Sequence, residues 1–318
     1  MNSSAVEASD GEQAVRIASL HVHPIKSCGG LALDAALLIE TGIEFDRAWM
    51  LVDAAGMFVT QRELPRMALV QPTLKHSEMV LRAPGMLALH VALDRVEQPV
   101  RVTVWNDEVA AYDMGGLCAQ WFSDFLGRPS QGRPEADPPA RRAGAGGASG
   151  VEFPLRMVRF DPAQRRLSAS EWTGALEAET AFADGFPLLV TSTAALDELN
   201  RRLGAQGLAP VTMARFRPNL VLDGLDAHGE DAIDEISFDT PDGPVRLKLV
   251  KPCARCPIPD VDPLTGETGH AVGDTLAGYR ADARLGGQIT FGMNAVIVEG
   301  IERVLKLGAV GRATFRFD

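Results

Sequence analysis

The chain has 318 residues, of which 46% are hydrophobic and 23% are charged, a composition typical of a globular protein with about two domains. Its net charge of −11 argues against nucleic-acid binding, which depends on many phosphate-neutralising Lys and Arg side chains. With no apolar run of about 18 residues, no secretory signal and only four cysteines, we expect a cytoplasmic protein without a membrane partner or a disulfide framework.

Residues 15–126 alternate short apolar stretches with turn residues, which predicts a β-rich N-terminal domain after a disordered lead over residues 1–14. The first strand is predicted at Val15–Val22. Three hairpins are predicted from turn residues between paired apolar stretches, at Ala54–Gly56, Pro84–Gly85 and Asn106–Asp107. We interpret this arrangement as a barrel-like domain.

A helix is predicted over Gly115–Leu126, because Leu117, Trp121 and Leu126 would line one of its faces. The residues that follow, 127–150, are rich in Gly, Pro, Ala and Arg and have almost no bulky apolar side chain. Such a stretch cannot bury enough surface to fold by itself, so we predict a flexible linker there.

Residues 151–318 make up a second predicted domain, again with more strands than helices. Its strands are predicted near Leu155–Phe160, Pro187–Val190, Asn219–Leu222, Glu235–Asp239, Val245–Val250, Gln288–Val298 and Thr314–Phe317. A helix from Thr193 to Leu203 would have Ser192 as its N-cap and Gly204 just after its end. Strands without βαβ alternation favour closed β-barrels over a doubly wound sheet. The predicted fold class is therefore α+β and predominantly β, with a barrel-like N-terminal domain, a second β-barrel and few helices.

Two early segments are rich in cations that suit an anionic ligand. In PIKSCGG, Lys26 and Ser27 precede two glycines that let the backbone approach a phosphate closely, although the segment could also be a simple turn. In FDRAWMLV, Arg47 begins an aromatic strand, and Arg62 and Arg66 follow shortly after it. Arginine suits bidentate phosphate contacts, but an exposed Arg47 would contribute little.

The segment Met213–Leu220, MARFRPNL, adds two further arginines. If it is extended, Arg215 and Arg217 share one face, because side chains two positions apart do. Pro218 disfavours a helix at the residue before it. Asn219 carries both a donor and an acceptor, which suits the edge of a heterocycle.

The most distinctive segment is Lys251–Glu267, KPCARCPIPDVDPLTGE, in which two thiols lie three positions apart among prolines. Prolines restrict the backbone and remove N–H donors, so we expect a stiff loop and not a helix or a central strand. Arg255 and Lys251 beside Cys253 and Cys256 would stabilise a thiolate. Such a thiolate could be a nucleophile, a redox group or a soft metal ligand.

Other uses of these cysteines have less support. A structural zinc needs four ligands, but the other two cysteines are isolated and the histidines form no close pair beyond His21 and His23. A thioredoxin-like dithiol would lie at the start of a helix in a βαβ unit, and the prolines after Cys256 disfavour a helix there. The acidic residues that follow could relay a proton, but they more readily build a turn. Those residues are Asp260, Asp262 and Glu267.

In their order along the chain, these segments resemble the MOSC family, the molybdenum-cofactor sulfurase C-terminal domain, preceded by its own N-terminal β-barrel domain. The matching segments are PIKSCGG, GIEFDRAWMLVD with TQRELPRMALV, RFRPNLVLDG and KPCARCPIPDVDPLTGE. The likeness covers nearly the whole chain, from Val15 to Asp318. Similar members include the mitochondrial amidoxime-reducing components and their bacterial relatives, which carry a molybdenum–pterin cofactor and reduce N-hydroxylated substrates.

The resemblance implies a role for each matching residue. Cys256, the second cysteine of C-x-R-C, would be the molybdenum ligand and the catalytic residue, with Cys253 tuning its sulfur. The cofactor-binding residues implied in the same way are Lys26, Ser27, Arg47, Asp184, Gly185, Phe186, Arg217, Asn219 and Asn294. At Gly185 and Phe186 the relatives carry hydroxyl groups, so backbone contacts alone carry over there. Thiolate is a suitable soft ligand for a sulfur-rich metal centre, and local cations suit the cofactor's phosphate.

The function implied is a molybdenum-dependent oxidoreductase that reduces N-hydroxylated bases, hydroxylamines and amidoximes. We expect no membrane anchor like that of the mitochondrial relatives. Since the C-x4-C-x2-C spacing of a plant-type ferredoxin is not found here, we expect a separate flavin or iron–sulfur protein to supply electrons. One alternative is a sulfur-carrier or cofactor-handling protein with a persulfide on Cys256 or Cys253, like the C-terminal domain of the pyridoxal-phosphate-dependent cofactor sulfurases. Another is a non-catalytic barrel with a structural metal.

Overall fold

The computed structural model describes residues 12–127 and 150–316. Its strands are β1 (Glu12–Val22), β2 (Leu31–Leu33), β3 (Ala35–Ile39), β4 (Gly42–Ile43), β5 (Trp49–Val52), β6 (Gln71–Leu74), β7 (Glu78–Arg82), β8 (Leu89–Ala92), β9 (Gln98–Val104), β10 (Asp107–Asp113), β11 (Arg156–Phe160), β12 (Leu188–Ser192), β13 (Leu220–Asp223), β14 (Ile233–Thr240), β15 (Gly243–Ala254), β16 (Ala281–Asp282), β17 (Gln288–Glu299), β18 (Val304–Lys306) and β19 (Val310–Phe315). The α-helices are α1 (Gly116–Leu126), α2 (Ser170–Thr173), α3 (Thr193–Ala205) and α4 (Ala271–Ala277). Most of the predicted lead and linker lies outside the described residues, whereas residues 12–14 of the lead belong to β1.

Seven strands close into a barrel in the order β12-β13-β1-β19-β14-β15-β17, and β17 pairs back with β12. The neighbours are antiparallel except β12 and β13, which run parallel. Alternate side chains point inward and form an apolar core that includes Leu20, Phe238 and Leu247. The predicted fold class, α+β and predominantly β with few helices, is confirmed.

The rest of the molecule is built mainly on two further sheets. One has four strands in the order β5-β11-β10-β9, and the other has three in the order β6-β7-β8. Trp49, Phe122 and Met157 belong to the core between these sheets and α1. The two halves exchange strands, because β1 joins the barrel while β11 joins the four-stranded sheet. The predicted domain boundaries at residues 126 and 151 stay a prediction, and the strand exchange pairs strands from both sides of the predicted linker.

Some of the local predictions for the N-terminal half are confirmed and others are not. The hairpins β7–β8 and β9–β10 form as predicted. The predicted hairpin at Ala54–Gly56 forms in part. Its first arm is β5, Val52 forms an antiparallel bridge with Phe58, and the N–H of Val59 donates to the carbonyl of Leu51 at 2.9 Å, but the second arm is not a strand of its own. In α1, Leu117 was wrongly placed on the apolar face. It is 64% exposed, and the helix instead buries the stripe that contains Phe122.

The helix after β12 begins as predicted, because the Ser192 hydroxyl accepts a hydrogen bond from the N–H of Ala195 at 3.1 Å. Its predicted end was wrong. Gly204 lies inside the last turn, and α3 continues through Ala205.

The predicted loop at Lys251–Glu267 was partly wrong, because β15 runs through Ala254 and includes Cys253. Pro252 is tolerated there since the register with β17 shifts on both sides of it, as at a β-bulge. The chain then leaves the barrel, so that Cys253 lies on a strand and Cys256 on the loop that follows.

Candidate functional site

A cleft lies where the barrel meets the N-terminal sheets, and its empty volume is about 830 Å³. That volume includes the space at the mouth of the cleft that is open to solvent. The cleft is lined by the ten residues to which the family resemblance assigned a role: Lys26, Ser27, Arg47, Asp184, Gly185, Phe186, Arg217, Asn219, Cys256 and Asn294. They come from six separate segments, which the strand exchange between the two halves brings together.

Three of these residues have backbone conformations that L-amino acids rarely adopt. The φ angles are 66° at Ser27, 49° at Arg47 and 57° at Arg217. Each such residue costs about 1–3 kcal/mol and persists where the surrounding structure demands it, often at a functional site. Their convergence on one cleft marks it as the candidate site.

The Lys26 ammonium is buried beneath one wall of the cleft. It donates hydrogen bonds to the carbonyl of Phe182 at 2.8 Å and to Asp184 Oδ1 at 2.5 Å. Burial lowers the pKa of Lys26, although the Asp184 carboxylate partly offsets this effect. The lysine therefore ties the turn after β1 to the loop that carries Asp184, Gly185 and Phe186.

Arg47 and Arg217 form a second cationic group. Arg47 donates to the Asp46 carboxylate, to Asn219 Oδ1 at 3.3 Å and to the carbonyl of Arg217 at 2.9 Å. Burial and the neighbouring Arg47 lower the pKa of Arg217 to about 9. Arg217 donates to the carbonyl of Cys28, but its Nη2 is buried without a partner among the described residues. Such a donor is suited to an anion that enters the cleft.

Asn219 is almost wholly engaged by the protein. Its Oδ1 accepts from the N–H of Leu189 at 3.0 Å, and its Nδ2 donates to the carbonyl of His21 at 3.3 Å. The amide thus braces the strands β12, β13 and β1 behind the cleft, and one N–H of Nδ2 is left for another acceptor.

The two thiols of the cleft have different surroundings. Arg255 Nη1 donates to Cys253 Sγ at 3.0 Å, and its Nη2 donates to the carbonyl of Phe216 at 2.9 Å. Cys256 is half-buried and free, and among the described residues its sulfur has no hydrogen-bond partner. Arg255 and Lys251 were both expected beside the two thiols. Arg255 contacts Cys253, whereas the Lys251 ammonium lies near aromatic rings. Cys256 remains available to a ligand.

Comparison with known proteins places this architecture in a family. The chain matches the model of the MOSC N-terminal beta barrel domain over residues 14–129 and that of the MOSC domain over residues 177–311. It is 30% identical over 278 residues to mitochondrial amidoxime-reducing component 1 of Mus musculus, covering 85% of this chain and 72% of that protein. The chain belongs to the MOSC family.

Two other relatives show how far the likeness of this MOSC protein extends. Mitochondrial amidoxime reducing component 2 of Bos taurus is 30% identical over 278 residues, covering 85% of the chain and 73% of the relative. Molybdenum cofactor sulfurase of Bos taurus is 27% identical over 290 residues, which make up 87% of this chain but 30% of the sulfurase. The resemblance inferred from the motifs is confirmed.

The structure corrects the prediction for Arg215 in the MOSC protein. Residues Met213–Arg215 form a 3-10 turn, so Arg215 and Arg217 point in different directions. Arg215 donates to Asp262 at 2.7 Å and to the carbonyl of Pro259 at 3.1 Å, which anchors the loop after Cys256. Arg215 thus positions the cysteine loop and does not line the cleft.

Sequence reasoning missed Arg166, because it lies in a polar connection without periodicity. The side chain is buried, and it donates to Asp107 at 2.8 Å and to the carbonyls of Ala181 and Ala183 at 3.0 and 2.7 Å. These bonds hold the Asp184 loop against the hairpin β9–β10. Arg62, which the sequence analysis grouped with Arg47 as a candidate cation for an anionic ligand, also lines the cleft.

Within residues 12–127 and 150–316, no group of three or more His, Cys, Asp and Glu side chains could hold a metal ion. Asp260 and Asp262 serve local structure. Asp260 accepts from the N–H groups of Val272 and Gly273 at 3.0 and 3.1 Å, and Asp262 accepts from the N–H of Leu264 at 2.8 Å. Over the same residues, no helix combines the length and apolar character needed to cross a bilayer.

Proposed function

We propose that this MOSC protein binds a molybdenum–pterin cofactor and reduces N-hydroxylated substrates, namely N-hydroxylated bases, hydroxylamines and amidoximes. The observation that carries the proposal is a free thiol, Cys256, in one cleft with a cationic group whose buried Arg217 Nη2 lacks a partner among the described residues. The names of the two amidoxime-reducing relatives support this reaction class.

The residues present fit such a cofactor. Lys26, Ser27, Arg47 and Arg217 would hold its phosphate, because charge-assisted hydrogen bonds to phosphate are strong and local cations are needed in a protein of net charge −11. The free N–H of Asn219 would face the pterin. Asp184, Gly185, Phe186 and Asn294 line the remaining wall, where a Cβ added to Gly185 would meet no atom within 4 Å. Backbone groups at Gly185 are therefore open to a ligand.

Cys256 would hold the metal through its thiolate, since soft sulfur ligands suit such a centre. When bound, the cofactor would supply a two-electron redox centre. An amidoxime R–C(NH2)=N–OH would take up two electrons and two protons, its N–O bond would break, and R–C(NH2)=NH and water would form. The electrons would come from a separate flavin or iron–sulfur protein. Arg255 would hold the Cys253 side chain in place, three positions before the thiolate ligand Cys256.

The test compares Cys256→Ala with wild type after expression in a host that makes the cofactor. Molybdenum and pterin contents are measured, and benzamidoxime reduction is followed with a chemical one-electron donor. We expect wild type to contain both components and Cys256→Ala to lose at least about 100-fold in rate, because changes at a metal ligand or its supporting residues commonly have an effect of this order. The matched control is Cys118→Ala, a buried thiol outside the cleft. A Cys256→Ala protein with wild-type molybdenum content and undiminished rate would refute the proposal.

A second candidate function is sulfur transfer through a cysteine persulfide. It is favoured by the guanidinium of Arg255, which lies 3.0 Å from Cys253 Sγ and would stabilise an anionic sulfur. The name of the sulfurase relative points the same way. Intact-mass spectrometry discriminates between the two: a sulfur adduct on Cys253 or Cys256 in protein without pterin would favour this function over reduction.

A further inference from the structure

At the edge of the cleft, the side chain of Lys251 lies between two aromatic rings. Its Nζ is 4.9 Å from the ring centroid of Trp172 and 5.9 Å from that of Phe186. Phe186 itself lines the cleft, as do Cys253 and Asn294. We call the group Lys251, Trp172 and Phe186 the lysine–aromatic rim.

The strand geometry places this rim near Cys253. Lys251 pairs with Asn294 across β15 and β17, and Asn294 Nδ2 donates to the carbonyl of Lys251 at 3.3 Å. Lys251 and Cys253 are two positions apart on β15 and are both half-buried, whereas Pro252 between them is buried. This matching exposure indicates that Lys251 and Cys253 face away from the side on which Pro252 is buried, and two residues of extended chain span roughly 7 Å.

Within the described part of the chain, the ammonium of Lys251 has no counter-ion. Among residues 12–127 and 150–316, no carboxylate lies within ion-pair distance of its Nζ and no acceptor binds it. The other lysines nearby are paired: Lys26 lies 2.5 Å from Asp184, and Lys248 on the same strand lies 3.3 Å from Asp234. Lys251 is thus a cation at the cleft that remains available to an anion.

The surface around this cation is apolar. Phe186 and Leu176 pack against a small core of Ala178, Val250 and Val296 on the outside of the barrel. Trp172 and Phe186 are half-buried, so their rings are reachable from solvent. An unpaired cation beside accessible aromatic faces is complementary to a flat ligand that carries a negative charge.

We propose that the lysine–aromatic rim is a substrate subsite, and that it selects aromatic N-hydroxylated substrates bearing a carboxylate. The carboxylate pairs with the Lys251 ammonium, the ring stacks on Trp172 and Phe186, and the N-hydroxylated group reaches toward Cys256. This inference rests on the proposed function and adds the class of substrate to it.

The test uses cofactor-loaded wild type and Lys251→Gln with two substrates, neutral benzamidoxime and anionic 4-carboxybenzamidoxime. We expect Lys251→Gln to raise KM for the anionic substrate about tenfold, as for the loss of one charge-assisted hydrogen bond at a partly exposed site. Its kcat and its KM for the neutral substrate stay within about twofold of wild type, because the Lys251 ammonium is a recognition group outside the cleft. Lys251→Arg keeps the preference. The matched control Lys248→Gln, on the same strand but paired with Asp234, leaves both substrates unchanged.

A binding measurement separates this inference from the reaction. Calorimetry compares 4-carbamoylbenzoate with benzamide, neither of which has an N–O bond to reduce. The subsite is supported if the anionic compound binds wild type and binds Lys251→Gln more weakly. If the same preparation reduces no N-hydroxylated compound, only the proposed reaction is overturned. Reduction of benzamidoxime by wild type, with equal effects of Lys251→Gln on both substrates or with no effect, overturns the subsite alone.

Discussion

Replacing Glu230 by Gln tests whether a buried carboxyl group makes the protein less stable as the pH rises. Glu230 lies in a 3-10 turn before β14 and is fully buried. The Ser192 hydroxyl donates to its Oε2 at 2.7 Å, while its Oε1 is unpartnered among the described residues. Burial raises the pKa of Glu230 from 4.5 to about 7, although the hydrogen bond from Ser192 opposes the rise.

The sign follows from the two protonation equilibria. The unfolded chain releases this proton near pH 4.5, whereas the folded protein keeps it until about pH 7. The stabilisation from this group is therefore complete below the pKa of the unfolded chain. It is lost progressively as the pH rises to the pKa of the folded protein. A pKa difference of about 2.5 corresponds to about 3 kcal/mol in the free energy of unfolding.

The amide that replaces the carboxyl group in Glu230→Gln stays neutral and still offers an acceptor to Ser192. Its unpaired NH2 group adds a cost of about 1–3 kcal/mol, but that cost does not vary with pH. Urea unfolding of both proteins between about pH 4.5 and 8 measures the difference. We expect the variant to gain about 3 kcal/mol relative to wild type across this interval.

The control is Glu198→Gln, since hydrogen bonds from Arg201 and Arg202 lower the pKa of Glu198 to about 2. Glu198 is ionised in both the folded and the unfolded chain over most of the interval, so its difference from wild type stays nearly flat there. A flat difference for Glu230→Gln as well would refute the reasoning.

Two further predictions concern stability. Replacing Arg166 by Gln leaves the carbonyls of Ala181 and Ala183 without this donor, and we expect the free energy of unfolding in urea to fall by about 2–3 kcal/mol. The control is Arg165→Gln, at a neighbouring side chain that is 57% exposed. It should lower the free energy of unfolding much less, because ion pairs at the surface contribute little. Equal losses for the two variants would contradict the role given to Arg166. Phe291→Ala removes a fully buried ring that stacks on Phe216 with centroids 3.8 Å apart, and we expect a loss of about 3–5 kcal/mol. The control Leu117→Ala, at a 64% exposed position, should change the free energy of unfolding by less than about 0.5 kcal/mol. An equally small loss for Phe291→Ala would be evidence against the stack.

Features that depend on near neighbours in the chain could be predicted from the sequence. The hairpins β7–β8 and β9–β10 follow from turn residues between apolar stretches, and the cap at Ser192 follows from its hydroxyl before a helical pattern. The family, too, could be recognised from its motifs, and with it ten of the residues that line the cleft. Each of these inferences needed only the residue types and their spacing.

The remaining features depend on contacts between distant parts of the chain. Arg16 of β1 pairs with Asp223 of β13, 207 positions further along the chain, because a barrel closes where its apolar faces can be buried together. The same closure draws Cys253 into β15 and leaves Cys256 on the loop. It also positions Arg166 behind the Asp184 loop and Lys251 beside two rings. No local pattern specifies such partners, since propensity acts over a few residues and burial acts over the whole fold.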